Sequence, residues 1–389
     1  MARMAGNKAS WAIIAGLGLL VAAPPAGCVP DAPTNPLGVD PTEVLTAAGD
    51  AVILPTLERF SESSAALSTA LTAWSDALAS GDGIAERDAA RAAWVDAMDI
   101  WQELELMQVG PAGSSLTVTG GADLRDEIYS WPTVNPCRVD QETVEASWDE
   151  ASFFDDNLVN SYGLDAIEHL LWAGPDNICP GQVPINADGT WDALGPDGIS
   201  ANRASYAVAL SAQVTSQVED LIGRWQGEFS LLTAYESDQQ ALNAIYNALY
   251  YLELKTKDRK LGEPLGLGDC QSECAELVES LESGTSTQWV EANLRGFRAL
   301  FTASELSGME DLLRQTGQVD LADQVVAELD AADAAAAALG MPIDEALVDN
   351  AEQVTELYDA VRRVGDLFKG DVATVLLLEI PVEGAGDLD

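Results

Sequence analysis

The sequence predicts an all-α protein built as two tandem four-helix bundles related by duplication. Three observations carry this reading. From about residue 43 onward, apolar residues recur three and four apart almost without interruption, the spacing of helices with one buried face. Breaker runs such as SGDG (80–83), GPAG (110–113) and SGTS (283–286) divide that pattern into segments. A weak internal echo lays YGLDAIEHLLW (162–172) over ANLRGFRALFT (292–302), with Ile167 on Phe297, Leu170 on Leu300 and Leu171 on Phe301.

The elements follow in order. Residues 1–27 read as a signal peptide: Arg3 and Lys8 precede the apolar run WAIIAGLGLLVAA (11–23), which is too short to span a bilayer as a stable helix. The run leads into PAGC, ending at Cys28. This resembles a bacterial lipobox, with Pro25 where such motifs carry an aliphatic residue. Acylation of Cys28 would tether the protein to a membrane without spanning it; a plain signal peptide cut nearby is the alternative. Residues 28–42 then form a Pro-rich linker. The first bundle, 43–234, takes helices at about 43–80, 85–108, 156–173 and 200–232. The second, 235–389, takes helices at about 237–260, 286–304, 307–338 and 342–369. Strand evidence is confined to SLTVTG (115–120), which alternates weakly, and VATVLLLEI (372–380), which reads as a buried strand or a last helical turn. The Gly- and Pro-rich stretch between Gly174 and Ser200 reads as one long loop. Within it NADGTWD faintly echoes a calcium loop, but Gly195 stands where the bidentate Glu belongs.

At 389 residues the chain can bury a sizeable core, and its 19 Lys and Arg against 64 Asp and Glu give a net charge of −45. Such a surface repels phosphate backbones and anionic headgroups and concentrates cations, so nucleic acid is excluded as a partner. The same charge also serves solubility in a salty medium. Besides Cys28, four cysteines remain: Cys137, Cys179, Cys270 and Cys274. An even number in an exported chain points to disulfides; three pairings are open, and proximity favours Cys270 with Cys274 and hence Cys137 with Cys179.

The candidate site lies in the echoed segment. Asp165 and Glu168 are three apart, so their carboxylates share one arc of a helix with His169, the single histidine of the chain. Leu164, Ala166, Ile167, Leu170 and Leu171 occupy the other half. Neighbouring carboxylates repel unless something positive lies between them, and hard or borderline ions such as iron, calcium or zinc accept oxygen ligands. Two alternatives compete with a metal site: a solvated face, or ion pairs with Arg295 and Arg298, onto which the echo maps Asp165 and Glu168. No serine-nucleophile elbow, Walker loop or dinucleotide fingerprint appears.

The segment GLDAIEHLLW resembles the signature of the imelysin-like proteins, a Gly-x-His-x-x-Glu motif opening an Ala-Ile-Glu-aromatic-Leu-Leu run. RAAWVDAMDIWQELELMQVGP (91–111), LRDEIYSWP (124–132), LRGFRALF (294–301) and the acidic ending GAGDLD resemble further family segments, so the likeness spans nearly all of the mature chain. The resemblance implies two helical bundles in a protein exported to the bacterial cell envelope. It also implies either metal-dependent peptidase activity or a part in iron uptake. Gly163 and Glu168 match the motif, whereas Asp165 replaces its histidine. A zinc peptidase built on two histidines is therefore impossible here, and an oxygen-rich site shifts the metal toward harder ions. His169 stands where the family carries Tyr or Phe, so it is expected to pack as an aromatic; it is also a further ligand candidate, as are Glu103 and Glu105. Lys255, Lys257, Arg259 and Lys260 suit a helix C-terminus, or face the acidic pair, or hold an anion carried with the metal.

Taken together these readings predict a periplasmic or outer-membrane-anchored lipoprotein that binds a divalent or ferric ion, iron favoured, zinc or calcium as alternatives. Asp165 and Glu168 are the first ligands, at a site between the bundles that serves metal acquisition or sensing. A metallopeptidase and a metal-free ligand- or protein-binding module are the competing functions. The expected partners are the metal ion, a membrane through the lipid anchor alone, and an envelope protein.

Overall fold

The computed structural model describes residues 37–381 apart from 117–120, 228, 269, 271–273 and 305. The expected signal peptide, Cys28, most of the linker, residues 117–120 of SLTVTG and the acidic ending lie outside the described residues.

Helix α1 (Thr42–Thr46) passes through π-helical turns at Ala47–Ile53 into α2 (Leu54–Leu78), and α3 spans Ile84–Leu104. Short helices follow: α4 (Leu124–Ile128), α5 (Pro136–Glu145) and α6 (Phe153–Asp156), leading to α7 (Leu164–Trp172), α8 (Pro184–Ala187) and the long α9 (Thr190–Gly227). The second half holds α10 (Asp238–Leu249), which runs on as π-helical turns over Leu252–Gly262. Then come α11 (Ser286–Thr302), α12 (Met309–Gln315), α13 (Val319–Leu339), α14 (Ile343–Leu367) and α15 (Ala373–Val375). Cap chemistry fixes several starts. Asn135 accepts the Arg138 N–H at 3.1 Å ahead of Pro136, and Ser237 accepts the Gln240 N–H at 3.2 Å.

Helices α2, α3, α7 and α9 pack in a closed ring, and so do α10 with its π-helical extension, α11, α13 and α14. These are the two four-helix bundles, and α3 packing on α11 joins them. The joint is close because Gly296 carries no side chain: a Cβ there would lie 2.3 Å from the Glu103 carbonyl oxygen. Buried Trp94 meets buried Trp289 across it, ring centroids 5.9 Å apart, and burial of such large apolar side chains stabilises the joint.

Several expectations change. The helix expected over 307–338 is two, α12 and α13, because Gly317 turns the chain at φ 87°. The helix expected from 156 begins only at Leu164, after α6 and a 3-10 turn at Val159–Ser161. The long loop 174–200 contains α8 and the start of α9, which kinks at Gly195 ahead of Pro196. Residues 368–375 are helical turns, and among the described residues no strand forms. Both expected disulfides are present, Cys137–Cys179 with an S–S distance of 2.01 Å and Cys270–Cys274. No helix among the described residues is long and apolar enough to cross a membrane.

Candidate functional site

Helix α7 is held at both ends by side chains of its own bundle. The Trp94 indole donates to the Leu164 carbonyl at 2.8 Å, and at the other end Arg91 donates to the Leu171 carbonyl at 2.8 and 3.0 Å. Arg203 takes the carbonyls of Ala173 and Gly174 at 3.0 and 2.6 Å, so cations sit where the helix dipole is negative. The motif glycine is fixed by geometry. Gly163 has φ 101°, and a Cβ on it would lie 2.9 Å from both an Asp165 oxygen and the Ile128 carbonyl.

Both competing accounts of the acid pair fail. Asp165, Glu168 and His169 are only 4%, 7% and 4% exposed, so none of them belongs to a solvated face. Arg295 pairs instead with Asp99 at 2.6 Å and Glu103 at 3.1 Å, and Arg298 with Asp330 at 2.9 Å and Asp333 at 2.6 Å. The duplicated helices have diverged, each keeping its charges for its own bundle and joint.

Neutral donors hold the two carboxyls. Asp165 Oδ2 accepts the Ser130 hydroxyl at 2.9 Å and its N–H at 3.2 Å, while Oδ1 accepts the Ala166 N–H at 3.0 Å. Glu168 Oε1 accepts the Ser283 N–H at 3.0 Å. Burial without a compensating cation pushes Asp165 up to about 7 and Glu168 up to about 8; their hydrogen bonds offset only part of this, and the nearby Glu282 charge raises Glu168 further. Both acids therefore titrate near neutrality, far above the usual carboxylate range.

His169 is not simply a packing aromatic, and its nitrogens are not free to be ligands. Its Nδ1 lies 2.7 Å from Glu282 Oε1 and its Nε2 lies 3.1 Å from Asp140 Oδ1. Burial alone would lower its pKa, but these two carboxylates outweigh it and push the ring up to about 9, so it is an imidazolium near neutrality. Asp140 is completely buried and also accepts from Arg203 at 3.3 Å and from the Ile178 N–H at 2.9 Å. The disulfide beside Ile178 fastens that loop to α5, which carries Asp140. His169 thus ties α7 to α5 and to residues 279–283.

Glu103 and Glu105 are both paired with protein cations. Glu103 is taken by Arg59 and Arg295. Glu105, 1% exposed, is bound by Arg125 at 2.9 Å and Lys260 at 2.7 Å; burial works to raise its pKa, but those cations hold it below the usual carboxylate range. Of the basic cluster, Lys260 is buried and also meets Glu279 at 2.9 Å, and Lys257 is buried against Glu253 at 2.6 Å. Lys255 Nζ lies 5.7 Å from the centre of the Tyr251 ring.

Among the described residues, no three His, Cys, Asp or Glu side chains gather closely enough to hold a metal ion. Among the same residues, the hydrogen bonds of Asp165 and Glu168 come from neutral donors. The buried Ser280 hydroxyl lies beside Glu168 and helps its charged form. Ser130, Asp140, Ser280, Glu282 and Ser283 had escaped sequence reasoning. Only Ser130, inside LRDEIYSWP, and Ser283, opening the SGTS breaker, lay in runs already singled out.

A search of the curated proteins finds no match. Among solved structures, an imelysin-like protein from Psychrobacter arcticum is similar at a TM-score of 0.67 and 20% identity, with 88% of this chain and 98% of that one covered. A protein from Parabacteroides distasonis, assigned as an iron-regulated protein A precursor, is similar at a TM-score of 0.65 and 17% identity, with 87% of this chain and 97% of that one covered. The family model described as Imelysin matches residues 53–368, which include Asp165, Glu168 and His169. The chain belongs to the imelysin family.

Proposed function

We propose that the protein is an exported imelysin-family member of the bacterial cell envelope, lipid-anchored through Cys28, that binds a hard cation, iron favoured, at Asp165 and Glu168 for metal acquisition or sensing. One observation carries the reading: two buried carboxyls three residues apart have neutral donors around them and, among the described residues, no protein cation against them. The name of the Parabacteroides relative supports iron as the first ion to try. When bound, the cation supplies the positive charge that allows both acids to ionise. Ser130 and Ser283 hold the carboxyls in place, and His169 keeps the 279–283 segment against α7. A metallopeptidase is the weaker reading because the single imidazole is already committed at both nitrogens.

Equilibrium dialysis against iron, calcium and zinc tests the proposal. The protein should retain about one equivalent of a hard cation at pH 8.5 and bind it at least ~10-fold more weakly at pH 6, where protons compete. Retention no greater than that of an Asp165→Asn, Glu168→Gln double variant would end it.

A further inference from the structure

Three open cavities run end to end along α1 and α2. The first, of about 670 Å³, lies between α1 with its π-helical turns and α12. The second, of about 660 Å³, lies between the start of α2 and the end of α11, and the third, of about 400 Å³, between α2 and α3. Ala51 and Leu306 line both of the first two, and Arg59 lines both the second and the third, so the three form one groove. From Thr42 to Ala66 it follows the helical path for on the order of 35 Å. The chain leaves α11 through two left-handed residues, Ala303 at φ 49° and Ser304 at φ 57°, and the turn places Leu306 in the groove wall, 53% exposed. Val52 and Pro55 add apolar surface beside it. Five carboxylates stand along the groove, Glu43, Asp50 and Asp311 in the first cavity and Glu62 and Asp96 in the third. Arg59 is the one cation among the lining residues, and Glu103 already pairs with it.

We infer that this groove docks a basic, amphipathic segment of a partner protein, its apolar edge against Leu306, Val52 and Pro55 and its Lys or Arg side chains against the five carboxylates. Complementarity selects this occupant. Exposed apolar walls gain from covering by an apolar edge, which a purely hydrated polycation lacks. The carboxylates repel an acidic segment, and they repel a second copy of this chain, whose net charge is −45. That net charge attracts cations over the whole surface, so attraction alone does not mark the groove; dependence on its shape does.

Fluorescence anisotropy with the full chain tests it. The probe is a labelled peptide of about 18 residues with leucine and lysine at helical spacing, compared with the same composition in scrambled order. The ordered peptide should bind at least ~10-fold more tightly than the scrambled one. Ala51→Trp obstructs the junction of the first two cavities without changing charge. It should weaken the ordered peptide at least ~10-fold, with the melting temperature close to wild type because Ala51 is exposed. Asp50→Asn with Asp96→Asn should weaken binding at least ~5-fold, whereas Asp349→Asn with Glu352→Gln, an equal charge change at exposed positions of α14, should leave it within about 2-fold. Equal affinity for the two peptides, unchanged binding to Ala51→Trp, or equal effects of the two charge pairs would overturn the assignment. So would self-association of the wild type that Ala51→Trp abolishes, which gives the groove to a second copy. Binding that appears only once residues 28–36 are removed gives it instead to the chain's own N-terminal segment and overturns the assignment as well.

Discussion

Between pH 5 and pH 9, in the presence of a chelator, the protein should lose several kcal/mol of stability. Asp165 and Glu168 have folded-state pKa values raised by burial to about 7 and about 8, so the folded chain holds these protons more tightly than the unfolded chain. The cost of ionising them is absent well below pH 4, where both states are protonated, and fully present above about pH 8. At full ionisation it is on the order of 4 kcal/mol for each carboxyl. His169 acts in the same direction. Its pKa is raised to about 9 by Asp140 and Glu282, so its stabilising contribution is complete below about 6.5 and disappears as pH passes 9. Surface carboxylates contribute little in this window because they are already ionised at its lower end. Urea unfolding at pH 5, 7 and 9 checks the prediction. Asp165→Asn and Glu168→Gln mimic the neutral acids, so each should flatten the profile and exceed the wild type at pH 9 by on the order of 2–4 kcal/mol. A profile that is level from pH 5 to pH 9, or variants that fall with the wild type, would contradict the assignment of buried neutral acids.

Replacing Lys260 by methionine should cost about 3–5 kcal/mol. Lys260 lies under the joint of the bundles, with Glu105 Oε2 at 2.7 Å and Glu279 Oε2 at 2.9 Å, and all three are 1% exposed. Methionine fills the volume but leaves two carboxyls short of a cation. Glu105 would keep Arg125, whereas Glu279 would keep only neutral donors, the Tyr129 hydroxyl at 2.6 Å and the Gln102 amide at 3.0 Å. Burial already raises Glu279 even with Lys260 present. Adding Glu279→Gln should therefore restore much of the loss, the signature of a charge left unpaired rather than of a packing defect. A methionine variant within about 1 kcal/mol of the wild type would show that the buried ion network is not what secures the joint.

The bundles were legible because their evidence is local. An apolar residue every third or fourth position announces a helix whatever it packs against, and the echo between 162–172 and 292–302 announced the duplication. Helix α5 was missed for the same reason: PCRVDQETVE has few apolar positions, and its buried Asp140 and Glu142 look like a solvated face until their partners are known. The site divides in the same way. The i, i+3 pair Asp165 and Glu168 and the motif glycine are features of one helix. What decides their chemistry comes from elsewhere: Ser130 from 35 residues away, Ser283 from 115 and Glu282 from 113. Contacts across such separations leave no spacing to read, and charge count alone suggested exposure for residues that the fold buries.

The central claim is that burial keeps Asp165 and Glu168 protonated and that a cation takes the place of those protons. Counting protons released on adding the hard cation at pH 7 tests it most directly. The account predicts release of between about one and two protons per ion bound, abolished in the Asp165→Asn, Glu168→Gln double variant. Tight binding at this pH with no proton release, or release that persists in the double variant, would contradict it.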